Sequence, residues 1–113
     1  RFLNVTGVQT CALPISYCTD AFSRAIVEAI WKQQNIPYQI FANRSDMPGG
    51  STLGNLSNIQ ASMHAVDVGL PQLAMHSVYE TAGTKDTLLG YQALKAFYDT
   101  CVCITDADSF ELR

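Results

Sequence analysis

Tyr38-Gln-Ile-Phe-Ala-Asn43, Arg44-Ser-Asp-Met-Pro-Gly-Gly50, Ser51-Thr-Leu-Gly54 and His64-Ala-Val-Asp-Val-Gly69 follow one another along the chain. The first stretch is short, aromatic and branched, which reads as a buried strand. The second is dense in turn residues. Ser51 or Thr52 then opens a helix with Leu53, Leu56 and Ile59 on one face. Residues 64–69 read as another strand, ended by Gly69 and Pro71. Strand, loop, helix and strand within about thirty residues make a βαβ unit, so a parallel pair with a right-handed crossover is expected.

Outward from this unit the pattern turns helical. Upstream, Thr19 or Asp20 can cap a helix on which Phe22, Ile26 and Ile30 recur, with Val27 and Trp31 widening the stripe. Asn35 and Pro37 stop it, since Pro37 biases Ile36 towards an extended shape. Downstream, a helix starting near Thr84 carries Leu88, Tyr91, Lys95, Tyr98 and Val102 at three- and four-residue steps, with Leu94 and Phe97 beside them. The class is α/β. Two strands do not complete such a sheet, so at least one strand edge is left unpaired.

Composition bounds the rest. The chain has 113 residues, enough for one domain at most or a piece of a larger one. Apolar residues make up 48% and charged residues 15%, which excludes a disordered tail. A net charge of −3 argues against a general nucleic-acid binder. No apolar run reaches the roughly 18 residues that a membrane span needs. Cys11, Cys18, Cys101 and Cys103 contain no CxxC pair or finger spacing, so a reduced, cytoplasmic setting is the simpler reading. Cys101-Val-Cys103 reads as a packing detail at a helix end.

Residues 1–16 stand apart. Val5-Thr-Gly-Val-Gln-Thr-Cys-Ala-Leu-Pro-Ile15 has neither helical nor alternating periodicity. It matches, codon for codon, the conceptual translation of a common sequencing-library adapter. Pro14 and scattered polar residues break any signal-peptide core. The expectation is therefore an adapter-derived, non-native segment over 1–16 and an authentic segment over 17–113, the back end of a longer protein.

Three features can carry chemistry. Pro48-Gly-Gly-Ser-Thr-Leu-Gly54 joins a strand end to a helix start, where open α/β sheets bind ligands and free N–H groups meet anionic or carbonyl groups. Read alone, it is equally a tight turn with a Ser/Thr cap, and it is neither a Walker loop nor GxGxxG. His76, in Leu73-Ala-Met-His-Ser77, is either a metal ligand or a hydrogen-bonded structural residue. His64 and Asp67 are three apart on a strand and so face opposite sides. Arg44 and Asp46, named together with Glu80, read as a structural ion pair or as orienting a neighbouring loop.

Residues 44–86 also carry a resemblance. Arg44-Ser-Asp-Met-Pro-Gly-Gly-Ser-Thr-Leu-Gly54, Val66-Asp-Val-Gly-Leu-Pro-Gln-Leu-Ala-Met-His-Ser77, Tyr79-Glu80 and Gly83-Thr-Lys-Asp86 are similar to the C-terminal end of the aspartyl-aminopeptidase family. These are cytosolic zinc metallopeptidases with a two-metal α/β catalytic domain. The resemblance implies an incomplete mixed sheet flanked by helices, taken from a domain that hydrolyses N-terminal residues from peptides. It makes His76 a zinc ligand, with Met75 and Ser77 flanking and supporting the imidazole. It places Gly49, Gly50, Ser51 and Thr52 beside the substrate. The intact parent is expected to form homo-oligomers and to hold two zinc ions per active site.

Departures from the family pattern matter as much. The family's other ligands come from a His-x-Asp motif, a Glu-Glu pair and a further Asp. Glu28, Glu80 and Glu111 are the only glutamates here, and no HxD occurs. The general base is thus missing, no catalytic residue is assigned, and the isolated chain is expected to be inactive. The competing expectation is a non-catalytic α/β module that binds a partner, with His76 structural.

Overall fold

The computed structural model describes the backbone of residues 3–6 together with residues 18–41, 46 and 52–113. Strand β1 (Leu3–Thr6) is followed by α1 (Ala21–Gln33), β2 (Tyr38–Phe41), α2 (Leu53–Gln60), β3 (Asp67–Gly69), β4 (Gln72–Leu73) and β5 (Thr81–Ala82). Helix α3 (Thr84–Asp99) and a hairpin, β6 (Val102–Asp106) and β7 (Ser109–Leu112), complete it.

Helix α1 forms where its stripe and caps agree. The Asp20 carboxylate accepts the Ser23 amide at 2.6 Å, as an N-cap should. Ile26, Val27, Ile30 and Trp31 are buried at helical spacing. At the other end Asn35 takes φ 54°, in the left-handed region. The Ile36 amide bonds to the Trp31 carbonyl at 2.9 Å and the Asn35 amide to that of Lys32 at 3.2 Å, a Schellman closure. Pro37 follows where the helix has already stopped. Glu28 on the outer side binds Arg24 at 3.1 Å and Lys32 at 3.3 Å, and accepts the Tyr38 hydroxyl at 2.9 Å.

The core lies between α1 and α3. Ile26, Val27, Ile30, Trp31 and Ile36 meet Ala93 and Ala96, with Phe22, Tyr38, Val66, Leu70, Val102, Phe110 and Leu112 packed around them. Small residues on α3 let the helices approach, and Trp31 Nε1 donates to the Ala93 carbonyl at 3.2 Å.

The α/β class and the mixed sheet are as expected, but the pairing is not. The sheet order is β2-β1-β3, so β2 and β3 are not neighbours. β1 runs parallel to β2 and antiparallel to β3, so β2 and β3 run in opposite senses. The βαβ unit is β1-α1-β2 rather than the one expected over residues 38–69. The physical reason is visible in α2, which has eight residues and buries none of them. It does not pack as a crossover helix. The segment 1–16, set aside on its codons, supplies the middle strand.

Three further corrections follow from exposure and chain direction. β2 is not a buried strand: Ile40 and Phe41 are 48% and 43% exposed. The apolar stripes Leu53-Leu56-Ile59 and Leu88-Tyr91-Tyr98 face outward. α3 ends at Asp99 rather than continuing through Val102, because Thr100 closes it with its hydroxyl on the Ala96 carbonyl at 2.7 Å. The branched run Val102-Cys-Ile-Thr105 then suits a strand.

Asn35 gives a direct check on the helix stop. Asn35→Ala is expected to lower stability by about 1 kcal/mol, and Asn35→Gly to leave it unchanged or higher. Urea unfolding of both variants reads this, and an equal loss in the two would reject the left-handed cap.

Candidate functional site

The candidate residues lie on two segments joined by β3. The first is the start of α2. Gly49, Gly50, Ser51 and Arg44 lie outside the described residues. Thr52 is the N-cap of α2, yet its side chain makes no capping bond. Its Oγ1 is buried with no hydrogen-bond partner. Such an orphan hydroxyl costs about 1–3 kcal/mol, so the site holds a polar atom in an unspent state.

Asp67 of β3 fastens this region. Its carboxylate accepts the Cys18 amide at 2.8 Å and the Cys18 thiol at 3.2 Å. Its own amide donates to the Thr19 hydroxyl at 2.7 Å. The start of α1 is thereby clamped to β3. Gly54 fits the same knot: a Cβ there would stand 2.5 Å from Cys18 Sγ, 3.2 Å from Asp67 Oδ1 and 3.4 Å from Thr52 Oγ1. Only glycine allows α2 to start so close. The sequence pattern offered no sign of the Asp67 knot, because Cys18 and Asp67 are 49 residues apart. His64 lies ahead of β3 rather than on one strand with Asp67. Its ring is tilted against that of Phe22, with centroids 5.2 Å apart, and its Nδ1 lies 3.9 Å from Asp20 Oδ2.

The second segment is the turn that carries His76. β4 and β5 pair antiparallel, with Gln72 opposite Ala82 and Leu73 opposite Thr81, and residues 74–80 close the loop. Ala74 and His76 both take positive φ, 51° and 66°. A left-handed conformation costs a non-glycine residue roughly 1–2 kcal/mol. The turn holds it in place with local bonds. The Ser77 amide reaches the Ala74 carbonyl at 3.1 Å, and the Glu80 amide the Ser77 carbonyl at 3.2 Å. The His76 amide donates to Glu80 Oε1 at 3.3 Å. Ser77 Oγ accepts the Tyr79 amide at 3.1 Å, and Met75 is exposed. The backbone is therefore twisted to present an exposed imidazole rather than to bury it. Glu80, given no role of its own from sequence, is the carboxylate that fastens this turn.

A zinc site needs three or four such donors. Among the described residues no group of three His, Cys, Asp or Glu side chains can hold a metal ion. No hydrogen bond or ion pair joins Thr52 to His76 among them. His76 fits a zinc ligand in chemistry and exposure, but as one donor of an unfinished set. Elsewhere, Asp86 in the first turn of α3 is 2% exposed with its Oδ2 unpartnered. In the sequence it belongs to the Gly83-Thr-Lys-Asp86 motif, with no role assigned to it.

The chain belongs to the aminopeptidase I zinc metalloprotease family (M18), whose family model matches residues 5–98. It is 40% identical over 84 residues to a probable M18 family aminopeptidase 2 of Clostridium novyi, covering 74% of this chain and 19% of that protein. It is 37% identical over 83 residues to a probable aspartyl aminopeptidase of Ricinus communis, covering 74% and 17%. Among solved structures, the cryo-EM structure of the Ape4 and Nbr1 complex contains a similar chain. The TM-score is 0.75 at 26% identity, over 85% of this chain and 18% of that one. The chain thus spans about a fifth of the length of the curated relatives it matches. Among the described residues no helix is long and apolar enough to cross a membrane.

Cys18 gives this region a pH signature. Burial first, then its bond to the Asp67 carboxylate, pushes the thiol from the ordinary 9.0 up to about 11. The folded state holds this proton more tightly, so the contribution is complete below pH 9.0 and fades as pH rises towards about 11. Urea midpoints are expected to fall more steeply across that window in the native chain than in Cys18→Ser. Parallel slopes would remove Cys18 from the account.

Proposed function

We propose that residues 17–113 are the C-terminal part of the catalytic domain of a zinc-dependent aminopeptidase, and that residues 1–16 are adapter-derived. Family membership and the one-fifth share of the relatives' length support the aminopeptidase part of this reading, although the family match begins at residue 5, inside the segment read as adapter-derived. β1 then fills the gap between β2 and β3 that a strand of the parent would occupy. The intact parent removes N-terminal residues from peptides in the cytoplasm as a homo-oligomer, and binds neither nucleic acid nor membrane.

The observation that carries the proposal is the His76 turn. Its strained backbone projects one imidazole outward, and Glu80 fastens the amide of the same residue. His76 would hold one of the parent's two zinc ions, with Met75 and Ser77 flanking it. Zinc in such a site polarises a scissile carbonyl and acidifies water. Thr52, with its unpartnered hydroxyl, and the preceding Gly49, Gly50 and Ser51 would line the peptide-binding side. The other donors and the general base belong to the rest of the parent, so the isolated chain is inactive.

His76→Ala in the full-length parent tests this. The expected outcome is loss of about one zinc per subunit by metal analysis, together with loss of aminoacyl-nitroanilide turnover. Unchanged zinc content would make His76 structural and favour a partner-binding module. Chelator-sensitive turnover by the isolated chain would overturn its inactivity.

A further inference from the structure

In the terminal hairpin exposure alternates along β7, while β6 is half-buried at Val102 and Cys103 and exposed beyond them. Val102, Phe110 and Leu112 pack inward on the α1–α3 core, and Val102 lies opposite Leu112 in register. Cys103 lies opposite Glu111. Cys101 extends the ladder by exchanging both backbone hydrogen bonds with Arg113, at 2.8 and 2.9 Å. Residues two apart share a face of a strand, so Cys101, Cys103, Glu111 and Arg113 form the outer one. The ion pair between Arg113 and Glu111, at 3.0 Å, agrees with that assignment.

Two free thiols thus stand where the pattern calls for charged side chains. Cys101 is exposed and Cys103 half-buried, and neither is in the core. The helix-end packing role expected from sequence does not apply. Their sulfurs are 3.8 Å apart. The hydrogen bond between them lifts the Cys103 thiol above its ordinary range, a sign of close sulfur contact. Two soft donors held at this spacing on a paired backbone form a chelate, because the second donor needs no search to reach a ligand bound by the first.

We propose that Cys101 and Cys103 form a two-thiol site that captures soft, thiophilic centres of the trivalent-arsenical class. Thiolate sulfur prefers soft centres over hard oxygen-seeking cations. No third protein donor completes a metal cage among the described residues, so the ligand is one that two sulfurs satisfy. An arsenoxide condenses with both thiols. Two As–S bonds form, the arsenic–oxygen bond breaks, and the oxygen leaves as one water carrying both thiol protons. Arsenic remains trivalent, so no oxidant or reductant is needed. The site is separate from His76 and does not depend on the zinc reading.

Phenylarsine oxide and the reduced 113-residue chain provide the test, followed by intact mass and thiol counting. One phenylarsenic group should bind per chain with two thiols consumed. A monothiol such as mercaptoethanol should leave it bound, and dimercaptopropanol should remove it. Cys101→Ser and Cys103→Ser should each weaken retention about a hundredfold, while Cys11→Ser and Cys18→Ser should not. Both hairpin substitutions lie on the outer face, and Trp31 fluorescence verifies that the core is intact. Retention that survives either hairpin substitution, or a native adduct displaced by the monothiol, would overturn the proposal.

Discussion

Trp31 donates its indole N–H to the Ala93 carbonyl across the buried face between α1 and α3. Without that bond, an indole donor 2% exposed would stand unpaired at a cost of about 1–3 kcal/mol. Ala93 and Ala96 keep α3 thin enough for Trp31 and Ile30 to reach it. Several other elements are positioned from the two helices that it joins. The start of α1 brings Cys18 and Thr19 to Asp67 of β3, and the Schellman closure at its end sets the direction of β2. The end of α3 delivers the hairpin, whose inner face returns to the same core.

This core is small for the apolar content of the chain. An apolar recess of about 340 Å³, lined by residues including Val27, Trp31, Val66, Ala93 and Phe97, opens from it. Leu53, Ile59, Leu88, Tyr91 and Tyr98 remain outside any packed surface. Burying a large apolar side chain is worth roughly 1.5–3 kcal/mol, so these faces represent stability not realised by the described residues. A chain spanning about a fifth of its relatives' length is expected to have such faces. The orphan oxygens of Thr52 and Asp86 belong to the same pattern.

What could be read from the sequence depended on how local its cause was. The α1 cap, the stop at Asn35 and the start of α3 at Thr84 are set by a few neighbouring residues, and all three were legible. Strand order was not, because β2 and β3 meet only through β1, which has no pattern of its own. The stripes on α2 and α3 were legible as stripes, but periodicity does not say what a face is buried against. Of the candidate site, His76 could be singled out from the residues, but only the resemblance to a family favoured it as a ligand. Its positive φ and the Glu80 bond that fastens it had no signature in residue type. The Asp67–Cys18 contact joins residues 49 apart in sequence and was equally silent.

The account stands or falls on whether a longer reading frame runs into residue 17. A long uninterrupted DNA read across the Ser16–Tyr17 junction in the source material measures this directly. The account predicts an in-frame upstream sequence, different from residues 1–16, that contains His-x-Asp and Glu-Glu motifs. A start codon near residue 17 with no such motifs upstream would contradict it, leaving His76 without partners to share a metal.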